Sequence, residues 1–174
     1  MKVSACAIAI LSGVVFAGTA AAAKDEGHGI IHFKGAIIDA PCSINPDSEE
    51  QTVKLGAISS ATLINSGTST PTSFSINLEK CALTTAKNVE ITFTGIGTES
   101  NPDQLGISGS AKGATIALTD AAGTPIKLGT AYSAPALHDG SNQLRFAAYL
   151  QGDGSSAVTP GDFTSIANFT LAYN

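Results

Sequence analysis

Tryptophan is absent, and Asp, Glu, Lys and Arg together make up only 13% of the 174 residues. Lacking Trp, the chain has no indole platform of the kind a small sugar-binding module uses for stacking. So little charge leaves no room for the long Glu/Lys/Leu/Arg faces of a helical protein, whereas plentiful Gly, Ser, Thr and Ala suit a strand-rich sandwich. A net charge of −5 with no clustered Lys or Arg excludes a nucleic-acid surface and a basic membrane-surface helix. The length favours one domain, and 43% apolar residues are enough to fill its core.

Catalytic and metal-binding patterns are also missing. His28 and His32 would stand about 13 Å apart along one strand face, too far to share a metal. His138-Asp139-Gly140 reads as a turn. There is no G-x-S-x-G elbow, and the Gly-x-Gly pairs at 27/29, 95/97 and 152/154 lack the third glycine of a dinucleotide loop. Asp153 has too few neighbouring carboxylates for a calcium loop. Asn168-Phe169-Thr170 spells a glycosylation acceptor but lies within a core strand, so no role is assigned to it. The residues call for no catalysis, cofactor or metal.

The beginning of the chain is a targeting segment. Lys2 gives a positive start, residues 3–16 are uncharged and mostly apolar, and residues 19–23 are small, which together describe a secretory signal over residues 1–23 cleaved after Ala22 or Ala23. That run is short for a bilayer span, and no comparable one follows. Cleavage removes Cys6 and leaves Cys42 and Cys81. In an oxidising compartment these two are expected to form a disulfide, whose loop closure contributes roughly 4 kcal/mol in the chain-entropy model.

Residues 24–37 read as an extension preceding a domain over 38–174. Residues 24–28 form a short polar leader. Gly29, Ile31, Phe33, Gly35 and Ile37 then fall on one face of an extended segment, with His32 and Lys34 on the other. Pro41 forbids a ladder donor and marks an edge or a strand switch. Residues 51–55 alternate weakly, and one helical turn fits around residues 61–64. Strands are expected over 74–81, 89–94, 114–119, 125–128, 144–151 and 163–173, with 95–113 as a Gly- and Ser-rich surface excursion. This pattern indicates an immunoglobulin-type antiparallel sandwich. Phe169, Leu171 and Tyr173 carry core-directed side chains up to the penultimate position. With six substantial strands after the leader, a seven-stranded sandwich lacks its closing strand and keeps an apolar groove beside unpaired backbone.

The segments Gly29-Ile30-Ile31-His32-Phe33-Lys34-Gly35, Ile38-Asp39-Ala40-Pro41-Cys42-Ser43-Ile44, Phe146-Ala147-Ala148-Tyr149-Leu150, Pro160-Gly161-Asp162-Phe163 and Phe169-Thr170-Leu171-Ala172-Tyr173-Asn174 together resemble the pilin subunits of chaperone–usher fimbriae. The likeness is strongest to major subunits of the P-fimbria and mannose-resistant Proteus-like types. Tyr173 with Gly161 twelve positions before it matches a pattern these pilins share. The resemblance implies an incomplete immunoglobulin-like sandwich completed by donor-strand exchange. Gly29, Ile31, Phe33, Gly35 and Ile37 would be the donor positions, and Phe163, Phe169, Leu171 and Tyr173 would line the acceptor groove. It further implies a periplasmic chaperone, an outer-membrane usher, other fimbrial subunits and further copies of the chain itself as partners, and a place in a surface fimbria. The other readings are a minor adaptor pilin and a small exported carbohydrate-binding sandwich.

Overall fold

The computed structural model describes residues 27–84, 88–154 and 157–174; the signal segment lies outside the described residues. The chain divides after Ile37 into a leading unit and a body over Ile38–Asn174. In the leading unit residues 27–37 carry no helix or strand and are exposed.

Among the described residues the body has eleven strands. They are β1 (Ser43–Ile44), β2 (Thr72–Cys81), β3 (Val89–Gly95), β4 (Leu105–Gly106), β5 (Ser108–Gly109), β6 (Ala114–Asp120), β7 (Pro125–Ile126), β8 (Ala131–Ser133), β9 (Gly140–Gly152), β10 (Phe163–Thr164) and β11 (Ala167–Tyr173). One sheet runs β1-β2-β9-β6-β4, with β7 also paired to β6, and the facing sheet runs β11-β3-β8. A two-stranded ladder joins β10 to β5. Every ladder is antiparallel. A short helix α1 (Pro46–Glu49), capped by the Asn45 side chain, and a kinked 3-10 segment over Ser60–Ser66 lie between β1 and β2.

The core forms where alternating residues of the two sheets meet. Ile76 and Leu78 of β2, Leu144 and Phe146 of β9, Ile116 and Leu118 of β6, and Val89, Ile91 and Phe93 of β3 are all buried. Phe146 is the hub, with ring centroids of Phe93 at 5.1 Å, Phe74 at 5.6 Å and Tyr132 at 6.2 Å. The Phe93 and Tyr132 rings meet it edge to face, the arrangement their quadrupoles favour. Cys42 and Cys81 are joined in the expected disulfide, with Cα atoms 4.1 Å apart.

The structure differs from the sequence reading in the last strand and in the 95–113 excursion. The stretch 163–173 is two strands, because β10 pairs with β5 while β11 pairs with β3 in the other sheet. Phe163 is therefore separate from the strand that carries Phe169, Leu171 and Tyr173. Between the two strands the chain turns at Ser165, whose hydroxyl donates to the Gly106 carbonyl at 2.8 Å. The 95–113 excursion is also more than a surface loop. It contributes β4 and β5, buries Leu105, and sends Gln104 to accept from Thr115 and to donate to Gln151 at 2.7 Å. Residues 51–55 keep the expected weak alternation, with Val53 and Leu55 half-buried.

Candidate functional site

In the sheet β11-β3-β8, β11 stands at an edge. Its backbone directions follow from a single pair. Asn174 donates to the Asn88 carbonyl at 3.1 Å and accepts from the Asn88 N–H at 3.2 Å. In an antiparallel ladder, pairs that exchange both bonds alternate with pairs that exchange none. Tyr173↔Val89, Leu171↔Ile91, Phe169↔Phe93 and Ala167↔Gly95 are then the non-exchanging pairs. The N–H and C=O groups of Ala167, Phe169, Leu171 and Tyr173 point away from β3, towards an edge with no strand beside it among the described residues.

These residues also direct their side chains inward. Phe169, Leu171 and Tyr173 pack against the core yet remain only half-buried. Partial burial pushes the Tyr173 phenol above its ordinary value by desolvation. One row of residues thus presents apolar side chains and unsatisfied backbone groups together. Buried backbone must be paired, so this edge calls for another strand.

A groove runs along this side of the sandwich in two clefts. The larger, about 780 Å³, lies between Phe169 and the Ile44–Leu55 side, with Phe74, Phe93 and Leu118 at its base. The smaller, about 580 Å³, continues past Phe163 and faces Leu55, Ile58, Ile107 and Val158. On the β10–β11 side these two clefts are lined by residues 158–169. The far wall, with Ile44, Leu55 and Ile58, was not assigned from sequence. Its only signal was the weak alternation at Val53 and Leu55, because a strand without a ladder partner carries no turn signals to frame it.

Gly161 has a steric reason to be glycine. A Cβ there would meet the backbone at 2.7 Å from the Ala111 nitrogen and 2.8 Å from the Ser110 carbonyl carbon. The tight approach is fixed by hydrogen bonds, the Ser110 and Ala111 N–H groups donating to the Asp162 carbonyl at 3.0 and 3.1 Å. This contact holds the wall from Pro160 to Phe163 at the smaller cleft.

The expected donor residues are exposed. Ile31, Phe33 and Ile37 retain 76%, 89% and 103% of their accessible surface, and a Cβ at Gly29 or Gly35 would meet nothing within 4 Å. Of the eight large apolar side chains exposed among the described residues, five lie between Ile30 and Ile38. A run of that kind is an interaction segment in search of a surface.

Comparison with known proteins gives the family. The family described as fimbrial protein matches residues 31–174. The chain is 59% identical over 152 residues to the Fimbria A protein of Serratia marcescens, covering 87% of each sequence. It is 51% identical to the Major MR/P fimbria protein of Proteus mirabilis (strain HI4320), covering 99% of each. Among solved structures, a chain of a chaperone–usher pilus superposes with a TM-score of 0.76 at 31% identity, over 86% of this chain and 97% of that one. The P pilus rod subunit PapA superposes with a TM-score of 0.68 at 31% identity, over 78% of this chain and all of that one. With its open-edged immunoglobulin-like sandwich, the chain belongs to the fimbrial protein family.

Proposed function

We propose that this pilin is a major structural subunit of a surface fimbria and that it polymerises head to tail by donor-strand exchange. Gly29, Ile31, Phe33, Gly35 and Ile37 of one copy enter the groove of the next, facing its core, and their backbone pairs with Ala167, Phe169, Leu171 and Tyr173. The observation that carries the reading is the open edge of β11, where inward apolar side chains and outward-pointing N–H and C=O groups belong to the same residues.

The energetics favour the exchange. Burying Ile31, Phe33 and Ile37 contributes about 1.5–3 kcal/mol each. Each backbone bond adds about 1 kcal/mol net. Until the neighbour's strand arrives, a periplasmic chaperone covers the groove, and an outer-membrane usher hosts the replacement. The route runs from the signal segment over residues 1–23, through the periplasm, to the fimbria.

Gly35→Arg tests the reading. Placed against the groove, the large side chain overpacks a site that accommodates glycine, so fibre yield should collapse while the chaperone–subunit complex accumulates normally. Lys34→Ala, on the opposite face, should assemble nearly as wild type. Normal fibres from Gly35→Arg, or loss of its chaperone complex as well, would return the segment to an ordinary part of its own subunit.

A further inference from the structure

Two exposed isoleucines stand at the end of the open edge, Ile166 at the rim of the larger cleft. Ile96 and Ile166 are the residues immediately beyond the last β11–β3 pair, Ala167↔Gly95, and they keep 86% and 77% of their surface. By the alternation of the two strands they share the outward face with Thr94 and Asn168, away from the core. Ile38, 57% exposed, is the even-numbered neighbour of Ile37 and so belongs to the outward face of the donor segment.

Resting on the donor-strand reading, we propose that Ile38 of one copy seats beside Ile166 and Ile96 of the next, forming an outward apolar clasp that sets the register of the joint. Antiparallel addition matches every ladder in the molecule and pairs better per residue than parallel addition. It brings the end of the donor segment to the start of β11. Because odd-numbered residues face inward on both strands, only registers two residues apart are allowed.

Side-chain volume chooses among them. With Ile37 opposite Ala167, large faces small at the start of the row, Ile37 against Ala167 and Gly35 against Phe169, and Phe33 then meets Leu171 and Ile31 meets Tyr173. Moving two residues one way sets Gly35 against Ala167 and leaves a gap, with Phe33 crowded against Phe169. Moving the other way sets Ile37 against Phe169 and carries Ile31 past the end of β11. The well-filled register places Ile38 directly opposite Ile166, with Ile96 one strand further. Three isoleucines, each exposed in the single subunit, then lie in one row across the junction.

Paired cysteines read this register. Ile38 and Ile166 would form a non-hydrogen-bonded pair with Cα atoms about 4.5 Å apart, inside the roughly 4.4–6.8 Å range of a disulfide. Purified fibres of Ile38→Cys/Ile166→Cys should give a ladder of covalent multimers on non-reducing gels, several-fold stronger than Ile38→Cys/Asn168→Cys or Ile38→Cys/Thr164→Cys. Cross-linking through Asn168 or Thr164 instead would overturn this register and leave donor-strand exchange standing. Fibres in which none of the three pairs links would overturn both. Ile96→Ser/Ile166→Ser supplies an independent arm, since both side chains are exposed and the chaperone complex should form as usual. Its fibres should come apart in detergent at a lower temperature than wild type, and an unchanged temperature would remove the clasp.

Discussion

Strands β9 and β11 alternate apolar and polar side chains with the same period, yet Leu144, Phe146, Ala148 and Leu150 are buried while Phe169, Leu171 and Tyr173 remain half-exposed. The contrast comes from their neighbours. β9 is paired along both edges, with β2 and with β6, whereas among the described residues β11 is paired with β3 alone. Alternation decides which way a side chain faces, and the number of adjoining strands decides how much of it leaves water. A sequence that specifies both strands equally well has therefore completed only one of them.

Mutations at the two strands should separate in size. Phe146→Ala, at the aromatic hub, should destabilise the subunit by about 3–5 kcal/mol in urea unfolding. Breaking the tie beside the closed sheet with Cys42→Ser/Cys81→Ser should cost about 4 kcal/mol by loop-closure entropy. Phe169→Ala should cost the isolated subunit only about 1–2 kcal/mol, because part of its surface is already wet, and more once a peptide of residues 24–38 fills the groove. If Phe169→Ala were as damaging as Phe146→Ala without the peptide, the edge would already be closed and the contrast would disappear.

The smallest expected effect concerns pH at the β6–β7 hairpin. The Asp120 carboxylate accepts from the Thr124 N–H at 2.8 Å, the Ala122 N–H at 2.9 Å and the Tyr132 hydroxyl at 3.1 Å. The backbone bond from Thr124 is the main reason its pKa lies below the ordinary carboxylate value. A depressed native pKa means the contribution is complete above the unfolded pKa, near 4, and is lost as pH falls through the lower native value. Thermal melts at stepped acid pH should show a slight extra decline that Asp120→Asn abolishes. An identical pH profile for the variant would remove Asp120 from the acid response of the closed region.

Much of the sandwich is readable in the residues. Phe74, Ile76 and Leu78, or Val89, Ile91 and Phe93, alternate long enough to reveal a strand and its face. β1, β4, β5 and β10 have two residues each and β8 has three, too few for a period to emerge. Residues 163–173 looked continuous because Phe163, Ser165 and Ala167 keep the phase of Phe169. The break arises from which partner each half finds, β5 or β3, and that is a long-range choice. The open edge was legible for a related reason. Phe169, Leu171 and Tyr173 alternate clearly and demand cover, whereas the opposite wall, made by Ile44, Leu55 and Ile58, becomes a wall only once the chain has folded.

The disulfide also has a mechanical side. On the proposed donor-strand joint, the pull on a donor segment in a fibre under tension enters its own subunit through Ile38 and reaches Cys42 four residues later. From there the S–S bond carries it straight to Cys81 at the end of β2, whose ladder with β9 is among the longest in the molecule. The stretch between Cys42 and the start of β2, including α1 and the groove wall at Leu55 and Ile58, lies off the taut path. A stretched subunit is thus prevented from paying out the segment with which it grips its neighbour.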